Sequence, residues 1–292
     1  MSYQIVTDSS CNLTEEAIEK LGLHIMSLSY FLNDVEYLGY EKGKKFDHKA
    51  FYDQLANKVS AKTSQVTPVL AREICEPILK EGNDILYVGF SSGLSGTYSA
   101  VHLALEELKE EYPDRKIFSV DTLSASGGEA FFVRQACKMR DEGKSIEENA
   151  AWLEENKLKM RHNFTVDDLW HLQRGGRLSA GKALVGSMLN VKPILAMTTE
   201  GKLAPTGKAR GRKKALDIIV DMVADDIDAN NKPKIHIIHA DALEDAKYLE
   251  QQVKDRYGLE TEIFFLDPVI GTHGGPGLAA LIYMGKEKRD IK

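Results

Sequence analysis

The chain has little cysteine, no long apolar run and no excess of positive charge, and each shortage removes a class of protein. Its three cysteines, Cys11, Cys75 and Cys137, are odd in number and far apart, with no CxxC and no Cys/His pairing. Neither a disulfide framework nor a metal site is expected from them. No stretch approaches the roughly 18 consecutive apolar residues of a membrane span. A formal net charge of −6 argues against a dedicated nucleic-acid binder, which would carry a basic balance. No Gly-Lys-Ser/Thr closes a glycine-rich turn, so a Walker-type phosphate cradle is not expected. MSYQIVTDSS passes straight into a strand-like segment without a charged leader or an apolar stretch before it, which leaves the cytoplasm as the expected address.

What is present is an ordinary globular balance over 292 residues, 43% hydrophobic and 28% charged, enough for two ordinary domains. The first half alternates strand-like and helix-like segments. YQIVTD, LHIMSLSYF, DILYVGF and KIFSVDT read as strands. Between them lie helical patterns such as NLTEEAIEKLG, with a polar cap, early acids and a closing glycine. Strands separated by helices imply crossovers and a parallel sheet, and ligands of such sheets sit off the carboxyl ends of the strands. TDSS, SSGLSGT and VDTLSASGG all fall there. The second half changes rhythm, with strands predicted at RHNFTVDD, VKPILAMTT, KIHIIHA, TEIFFLD and GLAALIYMG, and small helices at LWHLQRGGRLS and KALVGSMLN. The expected fold is α/β in two lobes: a Rossmann-like parallel-sheet lobe over 1–160 and a C-terminal α/β lobe over 161–292.

Three loops are rich in hydroxyls or glycine. SSGLSGT (91–97), at a predicted helix start, offers backbone N–H groups and the hydroxyls of Ser92, Ser95 and Thr97 to an anion. Around Ser95 the order is Gly-Leu-Ser-Gly, one residue short of a G-x-S-x-G nucleophile elbow. KTSQVTP (62–68) adds Thr63 and Ser64, and GTHGGPG (271–277) adds Thr272 and His273 among four glycines. Each stretch by itself is equally well read as cap or turn chemistry. The basic features are Arg174 and Arg177 around a Gly-Gly pair, and Arg210 within GKARGRKK, either solvated surface, packed turn or a face for an acidic partner.

Eight stretches follow one another along nearly the whole chain: TDSSCNL at 7–13, TSQ at 63–65, SSGLSGTY at 91–98, VDTLSASGG at 120–128, GGRLS at 175–179, LNVKPIL at 189–195, KARGRKKA at 208–215 and GTHGGPG at 271–277. In this order they resemble the DegV family of bacterial fatty-acid-binding proteins, which includes the acyl-carrying subunits of the fatty acid kinase system. The resemblance implies a non-enzymatic, monomeric carrier without metal or cofactor. Its ligand would be one long-chain, palmitate-like fatty acid in a tunnel between and within the lobes. It implies that Thr63 and Ser95 hold the carboxylate, with His273 a nearby polar contributor and Ser64, Ser92 and Thr272 secondary contacts. It also implies a separate fatty acid kinase as partner, with Arg174, Arg177 and Arg210 as candidates for its docking face, and a place in lipid transport or fatty acid metabolism. One departure is Gly274, where the family commonly shows threonine. SLSYFL, LVGSML, Ile194 and Leu195 are tunnel-lining candidates and equally ordinary core. The alternative is a serine hydrolase or acyltransferase with Ser95 as nucleophile, His273 as base and Asp8 or Asp121 as orienting acid. A phosphotransferase lobe ranks last, because nothing in the sequence singles out a histidine for such a role.

Overall fold

The computed structural model describes residues 3–167, 169–178 and 190–291. Two compact units emerge: Met1–Tyr30, Glu36–Lys45 and Thr63–Lys157 in the first, and Phe31–Val35, Phe46–Lys62 and Leu158–Lys292 in the second. In chain order the elements are β1 (Tyr3–Asp8), α1 (Glu15–Leu21), β2 (His24–Met26), β3 (Ser29–Leu32), β4 (Val35–Leu38), α2 (His48–Ala56), β5 (Ala61–Ser64), α3 (Pro68–Lys80), β6 (Asp84–Gly89), α4 (Thr97–Glu111), β7 (Ile117–Asp121), α5 (Gly127–Asp141) and α6 (Ile146–Asn156). They continue as β8 (Met160–Thr165), α7 (Trp170–Arg174), β9 (Val191–Met197), β10 (Leu203–Arg210), α8 (Arg212–Asp221), β11 (Ile235–His239), α9 (Leu243–Tyr257), β12 (Thr261–Phe265), α10 (Pro268–Gly274) and β13 (Ala279–Met284).

The first unit is built on a parallel sheet of order β2-β1-β6-β7. Its central strand β6 is buried at every residue, as expected of a strand covered on both faces. The helices begin and end where local chemistry dictates. Thr14 accepts from Ala17 N to open α1, Gly22 closes it in the left-handed region, and Ser145 with Glu148 forms a reciprocal capping box on α6. Because β1, β6 and β7 are adjacent and parallel, the turns TDSS, SSGLSGT and VDTLSASGG leave the same edge of the sheet side by side.

The local reading fails in three places. LHIMSLSYF is two strands, not one. Ser9 Oγ accepts from Leu28 N, and Ser27 Oγ accepts from Tyr40 N and donates to Leu28 O, so serine hydroxyls replace the strand ladder at the break. The second is a hairpin the sequence did not announce: Asn33 and Asp34, at φ 49° and 65°, provide the two left-handed residues that a tight β3–β4 turn requires. A three-stranded sheet of order β4-β3-β5 includes Ala61–Ser64, where a loop was expected. Third, most of GTHGGPG belongs to helix α10, opened by Asp267, whose carboxylate accepts from Val269 N and Ile270 N.

The second unit carries a six-stranded sheet of order β10-β9-β8-β13-β11-β12, antiparallel except for the β11–β12 pair. α8 and α9 contribute Leu216, Ile219, Leu249 and Val253 to a core shared with Ile237 and Leu281 of the sheet. Residues 182–189 of the helix expected at KALVGSMLN, the LVGSML segment and the last residue of GGRLS lie outside the described residues. No helix among those described is long and apolar enough to cross a membrane.

Candidate functional site

The two hydroxyl motifs of the first unit are brought together. Thr97, the first residue of α4, is buried and accepts from Val66 N at 3.3 Å through its Oγ1, tying the segment after TSQ to the SSGLSGT turn. A Cβ on Gly96 would overlap the carboxamide of Gln65, so glycine is what lets the two chains close on each other. Ser95 Oγ accepts from Thr97 N at 3.1 Å and lies 3.0 Å from Thr97 Oγ1. Ser95 Oγ thus accepts from Thr97 N, and either hydroxyl can be the donor in its bond with Thr97 Oγ1. Thr63 is half-buried, while Ser64 and Ser92 are exposed. Ser92 contributes its backbone N–H to Asp121 Oδ1 at 3.3 Å.

Beneath the turn lies a polar cluster. Asp8 is fully buried and accepts from Ser10 N, Ser10 Oγ, Tyr87 OH and Phe90 N at 3.1, 2.6, 3.0 and 3.1 Å. Ser10 Oγ is also 2.6 Å from Glu129 Oε2, and Glu129 Oε1 accepts from Thr7 Oγ1 at 3.2 Å. Burial pushes the Asp8 pKa up, opposed by those donors. Asp121 accepts from Leu123 N at 2.9 Å as well as from Ser92. Both acids proposed to orient a catalytic histidine thus accept hydrogen bonds from their own turns and from the segment at the end of β6.

In the second unit, His273 sits on α10. Burial first, then the charges of Arg177 and Arg174, depress its pKa to about 3. The imidazole is neutral at neutral pH and a poor proton acceptor. A Cβ on Gly175 would overlap this ring, which is why the chain carries glycine there. Thr272 Oγ1 donates to Pro268 O at 2.8 Å inside its own helix, leaving only lone pairs to offer a ligand. A side chain on Gly274 would press on Leu278 at 2.7 Å, so the missing threonine hydroxyl is replaced by apolar packing. Arg174 is exposed and stacks on Trp170 at 4.6 Å, Arg177 donates to Gly175 O, and Arg210 is exposed. Arg212, which the sequence reading passed over, ties α8 to Asp245 at 2.8 Å and to Gly277 O. Its signal was available: it is the one cation of KARGRKKA placed to start an amphipathic helix.

The depressed pKa of His273 makes stability pH-dependent. In the unfolded chain the ring titrates near 6.5, in the fold near 3, so between these values the unfolded state binds a proton that the native state does not. Stability contributed by the neutral ring is complete above about pH 6.5 and lost as pH falls toward 3, at about 1.4 kcal/mol per pH unit. Denaturant midpoints of wild type and His273→Asn, measured across that window, should converge as the pH falls. Parallel curves would show that His273 does not titrate as described.

The DegV family model matches residues 2–286. The chain belongs to the DegV family. A DegV domain-containing protein of Clostridium perfringens is 38% identical over 287 residues, covering 98% of both chains. Among solved structures, DegV of Bacillus subtilis, a fatty-acid-binding protein, aligns at a TM-score of 0.84 with 30% identity over 98% of this chain and 100% of its own. A fatty-acid-binding DegV-family protein of Streptococcus agalactiae aligns at 0.86 with 29% identity over the same shares. The two-lobed α/β architecture is therefore the DegV fold. The described residues of this DegV-family chain contain no group of three or more His, Cys, Asp or Glu placed to hold a metal.

Proposed function

We propose that this DegV-family protein is a non-enzymatic carrier of one long-chain fatty acid, whose carboxylate is held by the hydroxyls of Ser95 and Thr63. The observation that carries the reading is the placement of Ser95. Thr97 holds its hydroxyl at the amino end of a 15-residue helix, where an anion is favoured, and the same Thr97 ties in the segment after TSQ. Hydrogen bonds to an ionised carboxylate are charge-assisted and stronger than neutral ones. The two solved DegV-family structures named above, both of fatty-acid-binding proteins, support the choice of ligand. Chain burial supplies the larger share of affinity: some 14 methylenes at about 0.8 kcal/mol each give on the order of 11 kcal/mol before ordering costs.

Nucleophilic catalysis by Ser95 is disfavoured. A histidine with a pKa near 3 takes a serine proton poorly, and Asp8 and Asp121 are hydrogen-bonded elsewhere. The carboxylate of the bound acid is instead offered to a separate fatty acid kinase, and the exposed Arg174 and Arg210 are the better docking candidates. His273 serves as a neutral polar partner and not as a base.

Denaturing mass spectrometry of protein purified without added lipid should release about one fatty acid per chain. Replacing both Thr63 and Ser95 with alanine removes two charge-assisted bonds, about 1.5–3 kcal/mol each, and should lower retention at least tenfold. Full occupancy in the double variant sinks the headgroup assignment.

A further inference from the structure

The turn between β7 and α5 has features that the carrier reading does not use. Ser126 flanks the N-terminus of the 15-residue α5 with φ 51° and ψ −127°, a conformation glycine adopts freely and an L-residue only under strain. Its hydroxyl does not cap its helix. It is 4% exposed and has no hydrogen-bond partner among the described residues. Two positions earlier, Ser124 is 0% exposed and its Oγ is likewise without a partner. An ordinary cap would bond an N–H of the first turn, with Glu129 in place to complete a capping box. Glu129 instead takes Thr7 and Ser10. Two buried, unsatisfied hydroxyls within three residues are a costly arrangement, and they lie at the positive end of a long helix.

The local pattern is that of an elbow: strand, sharp turn, helix, with small residues Ser124 and Gly128 two places either side of Ser126. Elbows of this kind lift a serine hydroxyl clear of its backbone. A nucleophile would also need a base. The acids bonded to Ser10, whose carbonyl accepts from Ser126 N at 2.9 Å, are Asp8 and Glu129, and both are engaged within their own cluster. What remains is donation.

We propose that the β7–α5 turn is an oxyanion-binding element in which Ser126 and Ser124 donate to a carboxylate or phosphoryl oxygen at the head of α5. Two sources share that chemistry. One is the lipid carboxylate, which rests on the carrier reading and is favoured by the bond from Ser91 N, at the start of the SSGLSGT turn, to Ser124 O at 3.0 Å. The other is a phosphate group bound independently of lipid.

The test uses the full chain as wild type, Ser126→Ala and Ser126→Gly. Three quantities are read: fatty acid per chain, affinity for inorganic phosphate, and the thermal midpoint of delipidated protein. Glycine relieves the backbone, so Ser126→Gly should raise the midpoint by a few degrees while weakening oxyanion binding about tenfold. Ser126→Ala should weaken binding equally without the gain in stability. Lost fatty acid in both variants assigns the carboxylate. Weakened phosphate binding with lipid unchanged assigns the phosphate. A wild type without lipid, yet binding phosphate through Ser126, sinks the carrier reading and keeps this one. Unchanged binding of both ligands in both variants overturns the proposal, as does a crystal structure in which a water satisfies both hydroxyls while the ligand lies elsewhere.

Discussion

Asp8→Asn should destabilise the protein by about 3–5 kcal/mol, whereas Glu129→Gln, an equally isosteric change in the same cluster, should cost about 1 kcal/mol or less. The difference follows from counting protons. Ser10 Oγ stands 2.6 Å from both Asp8 Oδ1 and Glu129 Oε2, but a hydroxyl has one proton to give. One contact must therefore be made by a carboxyl proton. Besides Ser10 Oγ, the donors Ser10 N, Phe90 N and Tyr87 OH converge on Asp8 and oppose the upward push of burial on its pKa. The expected outcome takes the shared proton to be on Glu129, which donates to Ser10, which donates to Asp8. Glutamine reproduces a neutral, donating Glu129. Asparagine cannot reproduce Asp8 in either orientation: on one side its NH2 meets Ser10 N–H, on the other Phe90 N–H. Because Phe90 precedes the SSGLSGT turn, Asp8→Asn should also loosen lipid retention. Chemical denaturation gives the stabilities, and infrared spectroscopy at neutral pH gives the proton, through a neutral carboxylic acid stretch that vanishes in Glu129→Gln. A band that survives there would place the proton on Asp8 and refute the assignment.

This cluster marks where reading the sequence stopped. Strand periodicity and helix caps located β1, β6 and β7, and the crossover rule placed TDSS, SSGLSGT and VDTLSASGG on one sheet edge, because those signals are local. The Asp8–Ser10–Glu129 triad spans more than a hundred residues, and nothing near Glu129 distinguishes it from an acid in a helix's first turn. Thr97 was visible as a hydroxyl, but its role in orienting Ser95 depends on Val66 arriving from another segment. Ser126 was quoted within VDTLSASGG, yet its positive φ has no signature when the residue is serine and not glycine. GTHGGPG reads as a loop because its four glycines allow the backbone to approach a ligand closely. Asp267 and Pro268 supply the helix start instead, and Gly271, Gly274, Gly275 and Gly277 each face a close neighbour, so their role is mainly close packing. The break at Ser27–Leu28 was missed for the same reason as Thr97: the serine hydroxyls that make it bond to residues from elsewhere.

Gly275→Ala should be strongly destabilising in the second unit. Gly275 ends α10 at φ 74° and ψ 168°, a region essentially reserved for glycine, with about 1–3 kcal/mol of strain for any other residue. An added Cβ would also overlap the ring of His171. That ring is buried and packs edge-on against Trp170 with centroids 4.7 Å apart, so it cannot swing away, and overpacking adds about 1–3 kcal/mol. Gly258→Ala provides the comparison. It lies at φ 62° with nothing within 4 Å of the added atom, so only the left-handed penalty of about 1–2 kcal/mol applies. Tryptophan emission in a Trp152→Phe background follows Trp170 alone, and denaturant midpoints should fall about twice as far for Gly275→Ala as for Gly258→Ala. Equal shifts would mean that His171 yields to the methyl group and that the end of α10 is not a rigid seat for His273, two residues upstream.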